Sequence, residues 1–172
     1  MEINVGIKPI IIHWPKEKAL MENKIKMNPD ISYYRSGKIQ KESWYLNDSL
    51  HRIDAPAVIH YYESSNIQTE RWCINGKTHR IDAPAITHYY KSGNIEREYW
   101  IINGIRQRID GPAYIEYSEL NLIKEELWYL NGKQLKNNEL IEYNEWLTAY
   151  NLYKPYNTWT DEEKVLWRLS WV

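Results

Sequence analysis

Three groups that could do chemistry fall within four residues at two places in the chain. The complete elements are His51-Arg52-Ile53-Asp54 and His79-Arg80-Ile81-Asp82, and a third element, 107–110, has glutamine in place of histidine. Arginine binds phosphate through a planar fork of donors, while histidine and aspartate can move protons or contact a ribose. The candidate ligands for a nucleotide or another phosphorylated small molecule are therefore His51, Arg52, Asp54, His79, Arg80, Asp82, Arg108 and Asp110.

The same elements also have a structural interpretation. Arginine of one element could pair with aspartate of the next and hold the intervening loops together. A residue that recurs in a repeat serves stacking first, because each unit must contact its neighbour in the same way. Gln107 fits an element that tolerates drift. We favour the structural interpretation, and the ligand site stays as the alternative.

Two further histidines, His60 and His88, are also 28 residues apart. Imidazoles on one sheet face could share a metal ion with Glu116, which stands at an equivalent position. Ser32 takes the remaining equivalent position, so no third ligand type recurs. We favour cross-strand polar pairing for these residues and expect neither a metal nor another cofactor.

Tryptophan and glutamate form two further periodic rows. The tryptophans are Trp44, Trp72, Trp100 and Trp128, and the glutamates are Glu42, Glu70, Glu98 and Glu126. Large rings are rarely left exposed, so burial in the main packed face of a sheet is favoured for the tryptophans. If the rows instead face solvent, they form a protein-binding surface. The residues that would centre this surface are Glu70, Trp72, Glu98 and Trp100.

All of these spacings come from one 28-residue repeat. The element 51–57 recurs at 79–85 and 107–113, and asparagines recur at 47, 75, 103 and 131. Four units therefore run from residue 23 to residue 134. We predict an N-terminal cap segment at 1–22 and a helical C-terminal cap at 135–172.

Each unit has the signals of two strands and two turns. The first strand covers Ala57 to Tyr62 and the second Ile67 to Ile74, with Glu70, Trp72 and Ile74 on one face. Asn-Gly after the second strand predicts a turn with two left-handed residues. The turn between the strands needs one left-handed residue, with serine as the strained exception. Its positions in the four units are Gly37, Ser65, Gly93 and Asn121.

The Asp-(Ala/Gly)-Pro-Ala segment is predicted to be an extended, unpaired bridge to the next unit. Proline removes one backbone donor and favours extended geometry in the residue before it. Ala55 and Ala83 stand where Gly111 does, so positive φ is not required there. The fold class is thus mainly β with C-terminal helices: an elongated, twisted antiparallel meander of eight strands, about 35 Å long.

The caps are predicted to cover both sheet edges. Leu140, Tyr143, Leu147 and Tyr150 have helical spacing, with Asn137-Asn138 as the N-cap. Thr160 to Glu163 form a capping box for a second helix that turns Val165, Leu166 and Leu169 inward. At the other end, Ile10 to Ile12 suggest a buried strand, and a short helix follows from Pro15. Aromatic area for the C-terminal cap comes from Trp146, Trp159, Trp167 and Trp171.

Composition excludes several function classes. The 172 residues carry a net charge of −1 and a mean hydropathy of −0.70, which argue against a general nucleic-acid binder and against a membrane span. Cys73 is the single cysteine, so internal disulfides and cysteine-based zinc sites are excluded. The N-terminus has no basic stretch followed by an apolar segment, and we expect a cytoplasmic location.

The repeat resembles a known family. Tyr90 to Ile95, Asn75-Gly76-Lys77 and His79 to Ala85 are similar to the MORN-related hairpin repeats of large-virus, phage and some bacterial proteins. The tail from Thr160 to Trp171 is similar to the closing segment of such viral proteins. This resemblance covers about four-fifths of the chain and implies a mostly non-enzymatic β-hairpin scaffold. The period exceeds the usual MORN unit, so lipid roles are not carried over.

From these observations we expect a non-catalytic binding protein. The resemblance suggests a phage or viral accessory factor that binds and inhibits a host protein, for example a defence system such as a CRISPR nuclease. The alternatives are a protein that binds or hydrolyses a nucleotide through the His-Arg-x-Asp elements, and an antitoxin-like partner of a toxin. Residual sheet edges leave a homodimer open.

Overall fold

The repeats form one antiparallel sheet whose strands follow chain order. The computed structural model describes residues 28–136, 138–152 and 158–171. With strands numbered along the chain, the sheet contains β1 Asp30–Tyr33, β2 Ile39–Ser43, β5 Val58–Tyr61, β6 Ile67–Arg71, β9 Ile86–Tyr89, β10 Ile95–Tyr99, β13 Tyr114–Tyr117 and β14 Ile123–Leu127. Their spatial order is the same as this chain order, and the sheet is open. The predicted eight-stranded meander is confirmed.

The turn between the two long strands of each unit has the predicted left-handed residue. The φ angles are 82° at Gly37, 75° at Ser65, 95° at Gly93 and 59° at Asn121. Ser65 is the strained exception because its β-carbon crowds the backbone in this conformation. Local chemistry therefore fixes where each long strand pair reverses.

Each long strand pair is followed by a short hairpin that the sequence analysis did not separate from the sheet. These hairpins pair β3 Tyr45–Leu46 with β4 Ser49–Leu50, β7 Cys73–Ile74 with β8 Lys77–Thr78, β11 Ile101–Ile102 with β12 Ile105–Arg106, and β15 Tyr129–Leu130 with β16 Lys133–Gln134. Asn47-Asp48 closes the first hairpin and Asn-Gly turns close the other three, with φ of 49° at Asn75 and 78° at Gly76. The N–H of Gly76 donates to the Leu50 carbonyl of the preceding hairpin at 2.9 Å. Successive short hairpins thus stack into what we call the hairpin column.

The predicted second strand from Ile67 to Ile74 is therefore wrong in extent. It ends at Arg71, and Trp72 separates it from the short hairpin. The Trp72 N–H donates to the Ala85 carbonyl at 2.8 Å, while its own carbonyl accepts from the His79 N–H at 3.0 Å. The Trp72 N–H is thus bonded to the segment that leads into β9, whereas its carbonyl is bonded to the residue that follows the short hairpin. The chain therefore leaves the sheet at Trp72 and enters the hairpin column.

The segment between units is not the extended, unpaired bridge that we predicted. Residues 53–55 bend, and Ala57, Ala85 and Ala113 are fully buried. The Ala85 N–H donates to the Tyr99 carbonyl at 2.8 Å, and its carbonyl accepts from Trp72. Alanine thus continues the ladder at a position with no room for a larger side chain. Gly111 does not have a positive φ, as expected from the alanines at its equivalent positions.

Two helices form the C-terminal cap, α1 Asn138–Ala149 and α2 Asp161–Trp171. The predicted capping box is present, because the Thr160 N–H donates to Glu163 Oε2 at 2.7 Å and the Glu163 N–H donates to Thr160 Oγ1 at 3.2 Å. The predicted inward residues of α2 are partly wrong. Val165 and Leu169 are exposed, at 51% and 82%, and Trp167 is the buried residue. The cap core contains Leu130, Leu135, Tyr143, Leu147, Leu152, Trp159 and Trp167, with Ile109, Trp128, Leu140, Trp146 and Trp171 packed against it.

The helical cap closes the hairpin column rather than the last sheet edge. Its core reaches Leu130 and Leu135, and the Tyr143 hydroxyl donates to the Ile109 carbonyl at 2.7 Å. Four of the five residues of β14 are exposed, so the prediction that the helices cover this edge is wrong. Charged side chains in β14 discourage pairing with another chain instead. The predicted N-terminal segment 1–22, with its strand at Ile10–Ile12 and its helix from Pro15, lies outside the described residues.

Candidate functional site

We take one unit of the structure as a long strand pair with the short hairpin and the His-Arg-x-Asp element that follow it, so that each element belongs to the end of one unit rather than to the start of the next. The arginine of each element stacks on the tryptophan of its own unit so defined. The guanidinium carbon lies 4.0 Å from the Trp44 ring for Arg52, and 3.9 Å from the Trp72 ring for Arg80. Arg108 repeats the contact on Trp100 at 3.8 Å. Stacking leaves the edge of the guanidinium free to donate hydrogen bonds, and each arginine donates to the carbonyl of the proline four residues on, at 3.3–3.5 Å. Arginine therefore closes the bend of its own unit.

Arginine does not join neighbouring units, so the predicted pairing with the next aspartate is wrong. Arg108 Nε lies 2.8 Å from Asp110 Oδ1, which belongs to the same element. Asp54 and Asp82 are exposed at the surface of their loops. Burial lowers the pKa of Arg80, because removing a guanidinium from water disfavours its charged form.

Histidine makes the contact between units. His51 Nδ1 accepts the backbone N–H of Asn75 at 3.2 Å, and His79 Nδ1 accepts that of Asn103 at 3.1 Å. These asparagines begin the Asn-Gly turn of the following short hairpin. His51 is fully buried. Each histidine thus anchors the next unit of the hairpin column, and the eight candidate ligand residues are distributed among three loops that repeat this arrangement.

The predicted protein-binding residues are held by internal contacts. Glu70 accepts a hydrogen bond from the Tyr89 hydroxyl at 2.8 Å, and Glu98 accepts one from the Tyr117 hydroxyl at 3.0 Å. Trp72 and Trp100 lie beneath the arginines just described, and all four predicted residues are half-buried. Burial and the carboxylate neighbour raise the pKa of Tyr89, and they raise the pKa of Tyr117 to about 12.

His60 and His88 lie on the same sheet face but two strands apart. His60 is opposite Thr69 on β6, and Thr69 is opposite His88 on β9. Two strand spacings are about 10 Å, too far for two imidazoles to bind one metal ion directly. Instead Thr69 Oγ1 lies 3.0 Å from His88 Nδ1, which is the predicted cross-strand polar pairing. Within the described ranges, no group of three metal-ligand side chains occurs.

Burial is the main reason that both histidine pKa values are low. Lys41 and Arg71 lower the pKa of His60 further, and Arg97 has the same effect on His88. A nearby positive charge opposes protonation of an imidazole. These effects place the five basic residues in one electrostatic neighbourhood on this sheet face.

The two faces of the sheet differ in how faithfully they repeat. Because side chains alternate along a strand, the register assigns the recurring glutamates to one face together with their hydrogen-bonded tyrosines. We call this the repeated face. The opposite face, which we call the variable face, carries a different residue in nearly every unit. Its directly paired residues across seven strands are Lys41, His60, Thr69, His88, Arg97, Glu116 and Glu125.

Sequence reasoning missed the variable face as a candidate surface because it followed the positions that recur. The sequence did contain a signal for this surface: at some equivalent positions of the repeat, the units carry different residue types. One such set is Ser43, Arg71, Tyr99 and Leu127, and another is Lys41, Thr69, Arg97 and Glu125. Residues needed for stacking must recur, whereas residues that contact a partner are free to differ from unit to unit.

Comparisons with known proteins do not assign the chain to a family. No protein-family model, no curated protein and no solved structure matches it. Neither of the two described helices has the length and apolar character needed to cross a membrane.

Proposed function

We propose that the protein is a non-enzymatic repeat scaffold that binds another protein through the variable face. One observation carries this proposal: the repeated face keeps its residues from unit to unit, while the opposite face of the same strands does not. In a solenoid-like array each unit makes the same contacts with its neighbours, and one extended surface remains free to bind a partner. Tyrosine and arginine, both frequent at protein interfaces, occur on this face at Tyr99, Arg71 and Arg97.

The internal contacts of the His-Arg-x-Asp elements support a scaffold over an enzyme. Each arginine is stacked on a ring and donates to a proline carbonyl, and His51 and His79 accept backbone N–H groups at Nδ1. Groups used in this way hold loops together. Nucleotide binding or hydrolysis by the same residues is the alternative function, since two elements keep all three groups in one loop.

The biological setting that we propose follows from the sequence resemblance. A phage or viral accessory protein, acting in the cytoplasm of its host, would use such a surface to bind and inhibit a host protein. A defence system such as a CRISPR nuclease is one class of target. An antitoxin-like protein that binds its cognate toxin would use the surface in the same way.

The test is capture of a partner by a chain whose variable face has been blocked. Cys73 is fully buried, so a cysteine introduced at Arg97, whose side chain is 37% exposed, can be labelled selectively with a bulky polyethylene glycol maleimide. The matched control carries the label at Lys77 in the hairpin column. We expect the unlabelled protein and the Lys77 conjugate to capture one stoichiometric protein from host lysate, and the Arg97 conjugate to capture none.

Other results would contradict the proposal. Equal capture by both conjugates would remove the variable face as the interface. A rise in melting temperature with nucleotides, without any captured protein, would favour the alternative, because a ligand that binds the native state stabilises it.

A further inference from the structure

The variable face carries a run of basic side chains between two acidic ends. Lys41, His60, Arg71, His88 and Arg97 lie on β2 to β10 and form what we call the basic stripe. Asp30 on β1 and Glu116 and Glu125 on β13 and β14 place carboxylates at both ends of this face, and Glu96 lies beside Arg97 within the stripe.

Two charges of the basic stripe have no counterion in the part of the chain that the structure describes. Among the described residues, no carboxylate lies within 4.0 Å of Lys41 or Arg71. Arg97 has a carboxylate neighbour, because its terminal nitrogen lies 2.9 Å from Glu96 Oε1. A guanidinium without a counterion can bind a carboxylate of another molecule through its terminal nitrogens.

We propose that the basic stripe binds an acidic segment of the partner protein, lying in extended conformation across the strands. This inference rests on the proposed function and names the chemistry of the partner's contact segment. Lys41 and Arg71 bind its carboxylates, and the imidazoles of His60 and His88 contact its backbone.

The dimensions of the stripe set the length of the segment. Lys41 and Arg97 are separated by four strand spacings, about 19 Å, which corresponds to about six residues of extended chain. Beyond Arg97 the charge of the surface becomes negative, because Glu116 and Glu125 continue the same line of paired residues. A basic residue after the acidic run would match this end of the face.

The same change of sign favours a peptide over a nucleic acid. A phosphate backbone carries negative charge along its whole length and would be repelled by the two glutamates. The chain as a whole carries a net charge of −1, without the basic excess of a nucleic-acid binder.

The test measures the fluorescence anisotropy of a labelled peptide with six consecutive glutamates, at low ionic strength, against the full chain. We expect Lys41→Glu combined with Arg71→Glu to weaken binding about tenfold or more, because attraction becomes repulsion at two contacts. Lys77→Glu combined with Arg168→Glu changes the net charge equally, at exposed residues of the hairpin column and of the helical cap, and should change affinity less than twofold. Lys41→Gln with Arg71→Gln provides a milder pair, with circular dichroism and melting temperature as the checks of folding.

Three outcomes would overturn the inference: no binding of the peptide by the unmodified chain, equal weakening by the two charge-reversed proteins, or tighter binding of a 20-residue deoxythymidine oligonucleotide than of the peptide. The last result would identify the stripe as a nucleic-acid surface. Failure of this inference is separable from failure of the proposed function. If the charge-reversed chain still captures the lysate protein and only the Arg97 conjugate does not, the variable face is the interface but the acidic segment is wrong.

Discussion

Exchanging residues between two equivalent turns should move stability in opposite directions. Ser65 and Gly93 both occupy the left-handed position, at φ of 75° and 95°. Their N–H groups donate to Tyr62 and Tyr90 carbonyls at 2.8 and 2.9 Å, so the two turns have the same geometry. A β-carbon at position 93 would have no heavy atom within 4 Å. The exchange therefore tests backbone conformation with no steric contribution at that position.

The expected magnitude follows from two opposing terms. A residue with a β-carbon in the left-handed region costs roughly 1–2 kcal/mol. Replacing it by glycine also makes the unfolded chain more flexible, which costs about 0.4–1 kcal/mol. We therefore expect Ser65→Gly to raise the free energy of unfolding by about 0.5–1 kcal/mol and the melting temperature by about 1–4 °C. Gly93→Ser should lower both by similar amounts.

Urea unfolding followed by tryptophan fluorescence measures both variants and their combination. The double variant should match the unmodified chain, because the expected gain and loss are equal and the hydrogen bond that joins the two turns, from the Asn66 side chain to the Lys91 carbonyl, involves neither exchanged residue. If Ser65→Gly were neutral or destabilising while Gly93→Ser lost stability, left-handed strain at Ser65 would be refuted as the explanation.

Three other changes test the contacts that hold the units. Arg80→Ala should cost about 1–2 kcal/mol of unfolding free energy in urea, because it removes the stacking on Trp72 and a hydrogen bond; a loss below about 0.5 kcal/mol would contradict this. His79→Ala should cost about 1 kcal/mol in the same urea titration by leaving the Asn103 N–H without its partner, and hydrogen exchange followed by NMR should be faster at that amide; an unchanged exchange rate would contradict the contact. The raised pKa of Tyr117 means that its stabilising effect is complete below pH 10 and is lost as pH rises towards 12. The urea midpoint of the unmodified chain should therefore fall more between pH 9 and pH 11.5 than that of Tyr117→Phe, and equal falls would refute it.

The sequence predicted the meander and its turns because those signals are local. Gly93 and Asn75 each require a backbone conformation that few residues adopt, and the repeat presents these signals in every unit. The break at Trp72 could not be predicted in the same way. Glu70, Trp72 and Ile74 keep the two-residue alternation of a continuous strand. The strand ends because Trp72 forms hydrogen bonds with residues far away in the sequence, and the alternation of side chains carries no information about those partners.

The contacts between units were beyond sequence reasoning for a related physical reason. Every unit carries both members of each pair, so a period of 28 residues fits pairing within a unit as well as pairing with the next. Arg108 bonds to Asp110 of its own element, whereas His79 bonds to the following unit. Whether a side chain bonds within its own unit or with the next one depends on the distance it can span in the folded chain, which the repeat period does not give. The variable face was missed because periodicity draws attention to the positions that agree.

The regular offset of the contacts between units has an evolutionary consequence. The Tyr34, Tyr62 and Tyr90 hydroxyls each donate to the carbonyl 27 residues on, and the Asn75 and Asn103 N–H groups reach histidines 24 residues back. Deleting residues 65–92 would join Ser64 to Gly93 and leave each of these bonds with a partner of the same kind. Genes for this fold can therefore lengthen or shorten by whole units without a new structural solution at the junction. The helical cap, which packs against the last hairpin and against Ile109 in the last His-Arg-x-Asp element, would end an array of any length.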